Sequence, residues 1–319
     1  MSYTGKVLEA GIDSLQEDGL RDTAIRTSYF GYSTALKGLH QLTGKTHQGE
    51  PVYDQDWDAM IVLDACRPDL MQEVEEDYDF VDEDFDTFYS WAGASDEWMR
   101  RNFSEEFSDE KSNTLMVTGN GFSDDYLNGD DFLHMEEAWR YAHDSEKGAI
   151  MPRPITDAAI ELSRQLDEDR LIVHYLQPHY PFLDRPEVGT DVDPDTWGEN
   201  DAGKDPWDEI LVGNIDREEV WPLYRDNLRT VMDEVELLLD NIDAENTVIT
   251  ADHGNALGRL NREEMGVHGH ERKIAVDALR EVPWVETSAE DRETYEPDRS
   301  TEETDSDQEQ ILRDLGYIQ

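Results

Sequence analysis

The stretch Trp57-Asp58-Ala59-Met60-Ile61-Val62-Leu63-Asp64-Ala65-Cys66-Arg67-Pro68-Asp69 joins an apolar run to a carboxylate. The run from Ala59 to Leu63 ends on Asp64, and Pro68 breaks it, since the residue before a proline resists the helical region. A continuous apolar run of this length predicts a parallel strand that is buried on both faces. Open α/β sheets bind ligands at the carboxyl ends of their strands, so Asp64 is predicted to lie at a ligand site.

A second run of the same design lies far downstream. Thr247-Val248-Ile249-Thr250-Ala251 is followed directly by Asp252-His253-Gly254-Asn255. An adjacent carboxylate and imidazole suit Zn²⁺, Mn²⁺ or a related ion. The two strands therefore predict one metal site built from Asp64, Asp252 and His253. The alternative is that each Asp caps the helix that follows its strand.

The charge of the chain limits its partners. The 319 residues carry 77 acidic and 27 basic side chains, a formal net charge of -50. Such a field repels nucleic acid and anionic lipid surfaces, which argues against both as simple electrostatic partners. The acidic residues are spread along the chain among Trp, Tyr and Leu, which favours a folded protein. This pattern is typical of proteins from salt-loving archaea, whose concentrated cytoplasmic salt screens like charges.

Cysteine usage and hydropathy predict a cytoplasmic location. Cys66 is the only cysteine, which excludes an intrachain disulfide and a four-thiolate zinc site. Residues 1 to 20 contain acidic residues and no long apolar run, so they do not resemble a secretory signal. No other run approaches the length of a transmembrane segment.

Strands that alternate with helices predict an α/β fold with a mainly parallel sheet covered on both faces. The predicted helices are Asp69 to Asp77, one that begins near Asp96, Ile155 to Leu166, and Val220 to Leu239. The predicted strands beyond the two above are Thr87 to Ser90, Thr114 to Thr118, Leu171 to Leu176, and Val282 to Val285. The predicted organisation is an N-terminal helical extension (1–50) and a main domain (51–319) that contains an insertion without periodicity (184–216), a polar segment (286–308) and a short terminal helix (310–318).

Further residues could contribute chemistry. Ser95, predicted at the start of a helix, could act as a ligand and nucleophile, because metal coordination and the helix dipole both favour its alkoxide; the alternative is a plain N-cap. His179 follows a strand between two prolines and suits anion binding or proton transfer, or a structural role. His268 and His270, separated by one glycine, could face a metal-bound substrate or lie at the surface.

Taken together, these motifs resemble the alkaline phosphatase superfamily, in particular its sulfatase-like and phosphoglycerol-transferase-like branch. The similarity spans roughly residues 55 to 319 and depends on the order of the motifs. They are Asp64-x-Cys66-Arg67-x-Asp69, Pro178-His179-Tyr180-Pro181, Asp252-His253-Gly254, Gly269-His270 and Leu315-Gly316-Tyr317.

The resemblance implies an alkaline-phosphatase-like three-layer sandwich and a role for each matching residue. It implies one divalent metal ion, Mn, Zn, Mg or Ca, and a Ser, Thr or modified Cys nucleophile at the position of Ser95. It also implies that Asn120 contacts the oxyanion of the substrate, that His179 contacts the phosphoryl or sulfuryl oxygens, and that His270, or His268, lies near the leaving group. The implied metal ligands are Asp64, Ser95, Asp252 and His253.

Two departures from the family pattern narrow the expected reaction. Sulfatases that form a formylglycine use Cys-x-Pro-x-Arg, whereas Cys66 is followed by Arg-Pro-Asp-Leu, so Cys66 is interpreted as a packing residue. Enzymes with a second zinc carry Asp-x-x-x-His, and Leu183 occupies the later position of that pair here. A single-metal site is therefore expected.

These observations predict a metal-dependent hydrolase or transferase that acts on a phosphate or sulfate ester through a covalent Ser95 intermediate. A phosphodiester or phosphoglycerol-type group, on a small molecule or linked to a glycan or lipid, is the expected substrate. The alternative is a catalytically inactive sulfatase-like protein that serves as a binding or scaffold component in surface glycan assembly.

Overall fold

The strand predicted from the first apolar run lies in the middle of the main sheet. The computed structural model describes residues 19–145, 147–188 and 205–299, and the statements below concern those residues. All five residues of Ala59–Leu63 are buried, and the strand pairs in parallel with a neighbour on each side. The strands are β1 (Ala59–Leu63), β2 (Asp86–Tyr89), β3 (Thr114–Thr118), β4 (His134–Glu137), β5 (His143–Asp144), β6 (Ala149–Ile150), β7 (Arg170–Tyr175), β8 (Ala244–Thr250), β9 (Ala256–Leu257), β10 (His268–Gly269) and β11 (Glu281–Ala289).

Within the described residues the main sheet has seven strands in the order β2-β11-β8-β1-β7-β3-β4. The pairs between β8, β1, β7, β3 and β4 are parallel, and β11 runs antiparallel to both of its neighbours. Two short antiparallel pairs, β5 with β6 and β9 with β10, lie outside this sheet. The mainly parallel sheet that the sequence predicted is confirmed.

Helices cover both faces of the sheet. They are α1 (Gly19–Leu42), α2 (Pro68–Gln72), α3 (Ser95–Asn102), α4 (Ser108–Lys111), α5 (Ser123–Tyr126), α6 (Pro152–Gln165), α7 (Pro206–Val212), α8 (Arg217–Leu239) and α9 (Asp277–Arg280). Ile61 and Leu63 point to the face where α6 and α8 complete the larger apolar cluster. Met60 and Val62 point to the other face, where Trp98 of α3 packs. The three-layer α/β arrangement is therefore confirmed, and both faces of β1 are apolar for this reason.

Several predicted elements need correction. The helix expected from Asp69 to Asp77 is shorter: α2 ends at Gln72, and Glu75–Asp77 forms a 3-10 turn. The insertion 184–216 contains the helix α7, and residues 189–204 lie outside the described part. The polar segment 286–308 begins inside β11, because its first residues pair with β8. The predicted terminal helix 310–318 is also outside the described residues.

The N-terminal helix α1 packs beside the loops that follow β8. Leu36 on α1 joins a small apolar cluster with Val267, Ile274 and Leu279. Residues 1–18 of the predicted extension lie outside the described part. No helix in the described ranges is long and apolar enough to cross a membrane.

The buried guanidinium of Arg67 connects the end of β1 to the loops that follow β8. It donates to both carboxylate oxygens of Asp69 at 2.7 Å, and also to Glu264 and to the carbonyl of Asn255. The Glu264 side chain is fully buried, and it also accepts the backbone N–H groups of Leu257 and Arg259.

We expect Arg67→Met to lower the free energy of unfolding by about 3–5 kcal/mol, because it removes the buried cation 3.2 Å from Glu264 and leaves only the partly exposed Arg259 at 3.5 Å. Urea denaturation in high salt measures this. Arg292→Met is the matched control: it removes the same charge from an exposed pair with Asp240 and should cost less than about 1 kcal/mol. Equal losses in the two variants would contradict the buried connection.

Candidate metal centre

The four residues predicted as metal ligands converge at the carboxyl edge of the sheet. Asp64 follows β1, and Asp252 and His253 follow the neighbouring strand β8, so parallel pairing brings the two loops together. The hydroxyl oxygen of Ser95 lies 3.3 Å from Asp64 Oδ2 and 3.1 Å from His253 Nε2. All four side chains are buried.

Ser95 is the first residue of α3 rather than its cap. The N-cap position belongs to Ala94, and no side chain caps this helix terminus. The Ser95 hydroxyl therefore bonds within the cluster, where the dipole of α3 favours a negative oxygen.

The imidazole of His253 is held with Nε2 toward the carboxylates. Its Nδ1 donates to the carbonyl of Gly254 at 2.7 Å, which leaves Nε2 as an acceptor, within hydrogen-bond distance of the Ser95 hydroxyl. A β-carbon at Gly254 would meet the carbonyl oxygen of Ala278 at 2.3 Å, so this close approach requires glycine.

Two carboxylate oxygens in the cluster have no hydrogen-bond partner. Asp64 Oδ1 and Asp252 Oδ2 are buried, and His253 Nε2 lies 3.6 Å and 3.5 Å from them, too far for a hydrogen bond. Tetrahedral ligands of one zinc ion, each about 2.1 Å from it, are about 3.4 Å apart. The spacing and the chemistry of these donors therefore fit a divalent cation.

The pKa of the Asp64 carboxylate also indicates a site for a cation. Burial, and then the negative charge of Asp252, raise the pKa of Asp64 well above its usual range, although Asn120 and Ser95 donate to it. A cation between the carboxylates would offset both effects.

His174 is a further possible ligand beside the two carboxylates, since side-chain atoms of Asp64, His174 and Asp252 lie within 4.8 Å of one another. Burial lowers the pKa of His174 to about 4, so its imidazole is neutral at pH 7.

Asn120, predicted to contact the oxyanion of the substrate, lies against a predicted metal ligand. Its amide nitrogen donates to Asp64 Oδ2 at 2.8 Å, and its amide oxygen accepts the backbone N–H of Phe122 at 3.0 Å. Asn120 therefore orients the Asp64 carboxylate and has no exposed surface of its own.

His179 and His270 extend the cluster away from the carboxylates. The His270 ring stacks on that of His253, with centroids 4.7 Å apart, and lies 5.0 Å from the ring of His179. Nδ1 of His179 donates to the carbonyl of Tyr180, and Nδ1 of His270 donates to Asn255 Oδ1. Burial lowers the pKa of His179 to about 4 and that of His270 well below its usual range. Both are neutral at pH 7, with Nε2 left to accept a proton or contact a substrate.

The structure separates the two histidines of the Val267-His268-Gly269-His270 loop. The ring of His268 packs against Tyr29 and Gly258, whereas the ring of His270 contacts the cluster. The sequence left this choice open. It also missed Asn255, although that residue directly follows the Asp-His-Gly motif, and it missed His174, which the apolar pattern of β7 concealed.

Helix α1 holds this loop by its backbone. The Tyr29 hydroxyl donates to the carbonyl of His268 at 3.1 Å and accepts its N–H at 2.9 Å. The backbone N–H of Ala275 donates to Nδ1 of His40 at 2.9 Å. The position of His270 therefore depends partly on a helix outside the main sheet.

Comparison with known proteins adds information on the fold alone. No protein-family model matches this chain, and no curated protein matches it. The C-terminal periplasmic domain of the phosphoethanolamine transferase EptC from Campylobacter jejuni is a similar solved structure, with 16% identity, coverage of 72% of this chain and 78% of that chain, and a TM-score of 0.45. The soluble domain of lipooligosaccharide phosphoethanolamine transferase A from Neisseria meningitidis has 12% identity, coverage of 73% of this chain and 76% of that chain, and a TM-score of 0.46. An alkaline phosphatase superfamily protein from Vibrio parahaemolyticus has 13% identity, coverage of 77% of this chain and 64% of that chain, and a TM-score of 0.36. Similarity at this level does not transfer an activity to this chain.

We expect Zn²⁺ or Mn²⁺ to stabilise the chelator-treated protein by about 2.7 kcal/mol at a hundredfold excess over the dissociation constant. Asp64→Asn should abolish this gain, yet make the metal-free protein more stable, because it removes the repulsion between the two carboxylates. Thermal unfolding in high salt with and without metal measures both. Asp240→Asn, at an exposed pair, is the control and should respond to metal like the parent. A metal-induced gain that survives in Asp64→Asn would place the cation elsewhere.

Tyr29→Phe should speed hydrogen exchange at the His268 amide and cost about 1–2 kcal/mol, since two hydrogen bonds to backbone are lost. Mass-resolved exchange on peptides that contain this loop measures it. Tyr141→Phe, which removes a hydroxyl bonded to the Glu136 side chain away from α1, is the control. Unchanged exchange in Tyr29→Phe would show that α1 does not hold the loop.

Proposed function

We propose that this protein is a metal-dependent enzyme of the alkaline phosphatase superfamily. It hydrolyses or transfers a phosphate or sulfate ester group through a covalent intermediate on Ser95. The observation that carries the proposal is the hydroxyl of Ser95, buried at a helix N-terminus between Asp64 and His253, beside carboxylate oxygens that have no partner. A phosphodiester or phosphoglycerol-type ester, on a small molecule or linked to a glycan or lipid, is the proposed substrate class.

Asp64, Ser95, Asp252 and His253 would hold the cation. When bound, a divalent ion supplies Lewis-acid stabilisation of negative charge at the reacting oxygens. The identity of the ion is proposed as Zn²⁺ or Mn²⁺, since an imidazole stands among the donors. Asn120 keeps the Asp64 carboxylate in place through its amide N–H.

The residues of the chain divide the transfer into two steps. Oγ of Ser95 forms a bond to phosphorus or sulfur while the bond to the leaving oxygen breaks. Neutral His270 accepts the Ser95 proton and returns it to that oxygen, because its Nδ1 is anchored on Asn255 and its Nε2 can carry the proton. His179 contacts the oxygens of the transferring group, and the negative charge of that group raises the pKa of His179. In the second step water, or the hydroxyl of an acceptor, forms a bond to phosphorus or sulfur while the bond to Ser95 Oγ breaks, and the O–H proton of the attacking group passes to Oγ, which restores the Ser95 hydroxyl.

The acidic composition supports a working environment of high salt, and a cytoplasmic location is part of the proposal. The expectation of high salt follows from the charge of the chain. Assays therefore belong in concentrated salt.

We expect Ser95→Ala to lower turnover of a chromogenic phosphodiester by on the order of 10⁴-fold or more, while metal binding is only partly reduced. Steady-state kinetics and metal titration measure the two effects separately. Ser112→Ala, which removes an exposed hydroxyl, is the control and should keep parental activity.

Full activity in Ser95→Ala would remove this residue from the mechanism. A parent protein that binds one metal ion yet turns over no phosphomonoester, phosphodiester or sulfate ester would favour the non-catalytic binding protein instead.

A further inference from the structure

His174 is a buried histidine that the proposed mechanism does not use. It lies on β7, in register with Val62 of β1 and Thr118 of β3, on the sheet face covered by α3. Its ring packs edge-on against Trp98, with centroids 5.5 Å apart, and it has no exposed surface. Its position is therefore fixed by the centre of the sheet and by the helix that begins with Ser95.

The environment of His174 does not explain why a histidine occupies this position. Neither ring nitrogen has a hydrogen-bond partner, and an unpaired polar group in the interior destabilises the fold. Apart from Thr118 on β3, the neighbouring positions on the same face are the apolar Ile172, Val62 and Met60, so an apolar side chain would also pack here. An unpaired polar group in such a place calls for a partner.

The Asp252 carboxylate lies opposite the His174 ring and indicates what its partner is. Nε2 of His174 is 3.7 Å from Oδ2 of Asp252, and this oxygen is itself unpaired. The same oxygen lies 3.5 Å from Nε2 of His253. Both separations exceed a hydrogen bond, and both suit ligands that share one cation. Two imidazole nitrogens thus approach one carboxylate oxygen, one from β7 and one from the loop after β8, and neither bonds to it.

We infer that His174 is a further ligand of the metal, so that the cation lies among two imidazoles, two carboxylates and the Ser95 hydroxyl. This inference rests on the metal centre of the proposed function. The second imidazole comes from the rigid centre of the sheet, whereas the other donors lie on loops or at a helix start. A site with two imidazoles favours Zn²⁺, Mn²⁺ and similar ions over Mg²⁺ and Ca²⁺, which prefer oxygen ligands.

X-ray absorption spectroscopy on the parent protein loaded with one equivalent of Zn²⁺ tests the inference without any variant. We expect the multiple-scattering pattern of two imidazoles in the zinc shell. One imidazole would overturn the inference and leave the proposed function standing. Failure to bind Zn²⁺ or Mn²⁺ at all would overturn the metal centre, and with it both proposals.

The variant His174→Leu identifies which histidine supplies the second imidazole. We expect it to lose one imidazole from the zinc shell and to bind Zn²⁺ more than about 100-fold more weakly, beyond what the loss of an outer-shell partner usually costs. Binding of Mg²⁺ should change far less. His134→Leu, at a histidine on the edge strand β4 that contacts Glu136, is the control and should keep the parental zinc shell. Two imidazoles retained in His174→Leu would overturn the inference.

Discussion

The repulsion between the Asp64 and Asp252 carboxylates is the constraint around which this site is built. Each carboxylate is buried and keeps one oxygen without a hydrogen bond. The other oxygens are held by donors that fix their direction: Asn120 donates to Asp64, and the backbone N–H groups of Ala65 and His253 donate to Asp252. The hydrogen-bond donors thus bind one oxygen of each carboxylate and leave the other oxygen, Oδ1 of Asp64 and Oδ2 of Asp252, without a partner. Two open anionic oxygens inside a protein are unfavourable unless a cation lies between them.

Two other buried carboxylates, Glu264 and Asp96, differ from Asp64 and Asp252 because each has arginine partners. Glu264 has the guanidinium of Arg67 and two backbone N–H groups. Asp96, immediately after Ser95, is paired with both Arg100 and Arg272. A protein with 77 acidic and 27 basic residues therefore directs arginine to carboxylates that serve the fold. Among the described residues no arginine forms an ion pair with Asp64 or Asp252, which is consistent with a metal ion as their partner.

The sequence was informative wherever a pattern repeats along the chain. Continuous apolar runs predicted β1 and β8, and parallel pairing then placed Asp64 beside Asp252 and His253. The edge strand β4 was missed because His-Met-Glu-Glu lacks an apolar run, as expected for a strand paired on one side. The choice between His268 and His270 depends on Gly269, whose φ of +66° turns the loop between them. Such information lies in the backbone and in contacts with α1, which are distant in sequence.

His174 shows the limit of pattern reading most clearly, because the feature that predicted its strand also concealed its role. In the sequence Leu171-Ile172-Val173-His174-Tyr175-Leu176 the histidine looks like a single interruption of an apolar run. The strand register shows that it lies near the site, because parallel pairing aligns His174 with Val62, two residues before Asp64, and with Thr118, two residues before Asn120. A polar side chain at this register position approaches the carboxylates from within the sheet rather than from a loop. Strand pairing, and not local sequence, therefore determines which residues of this chain can reach a cation.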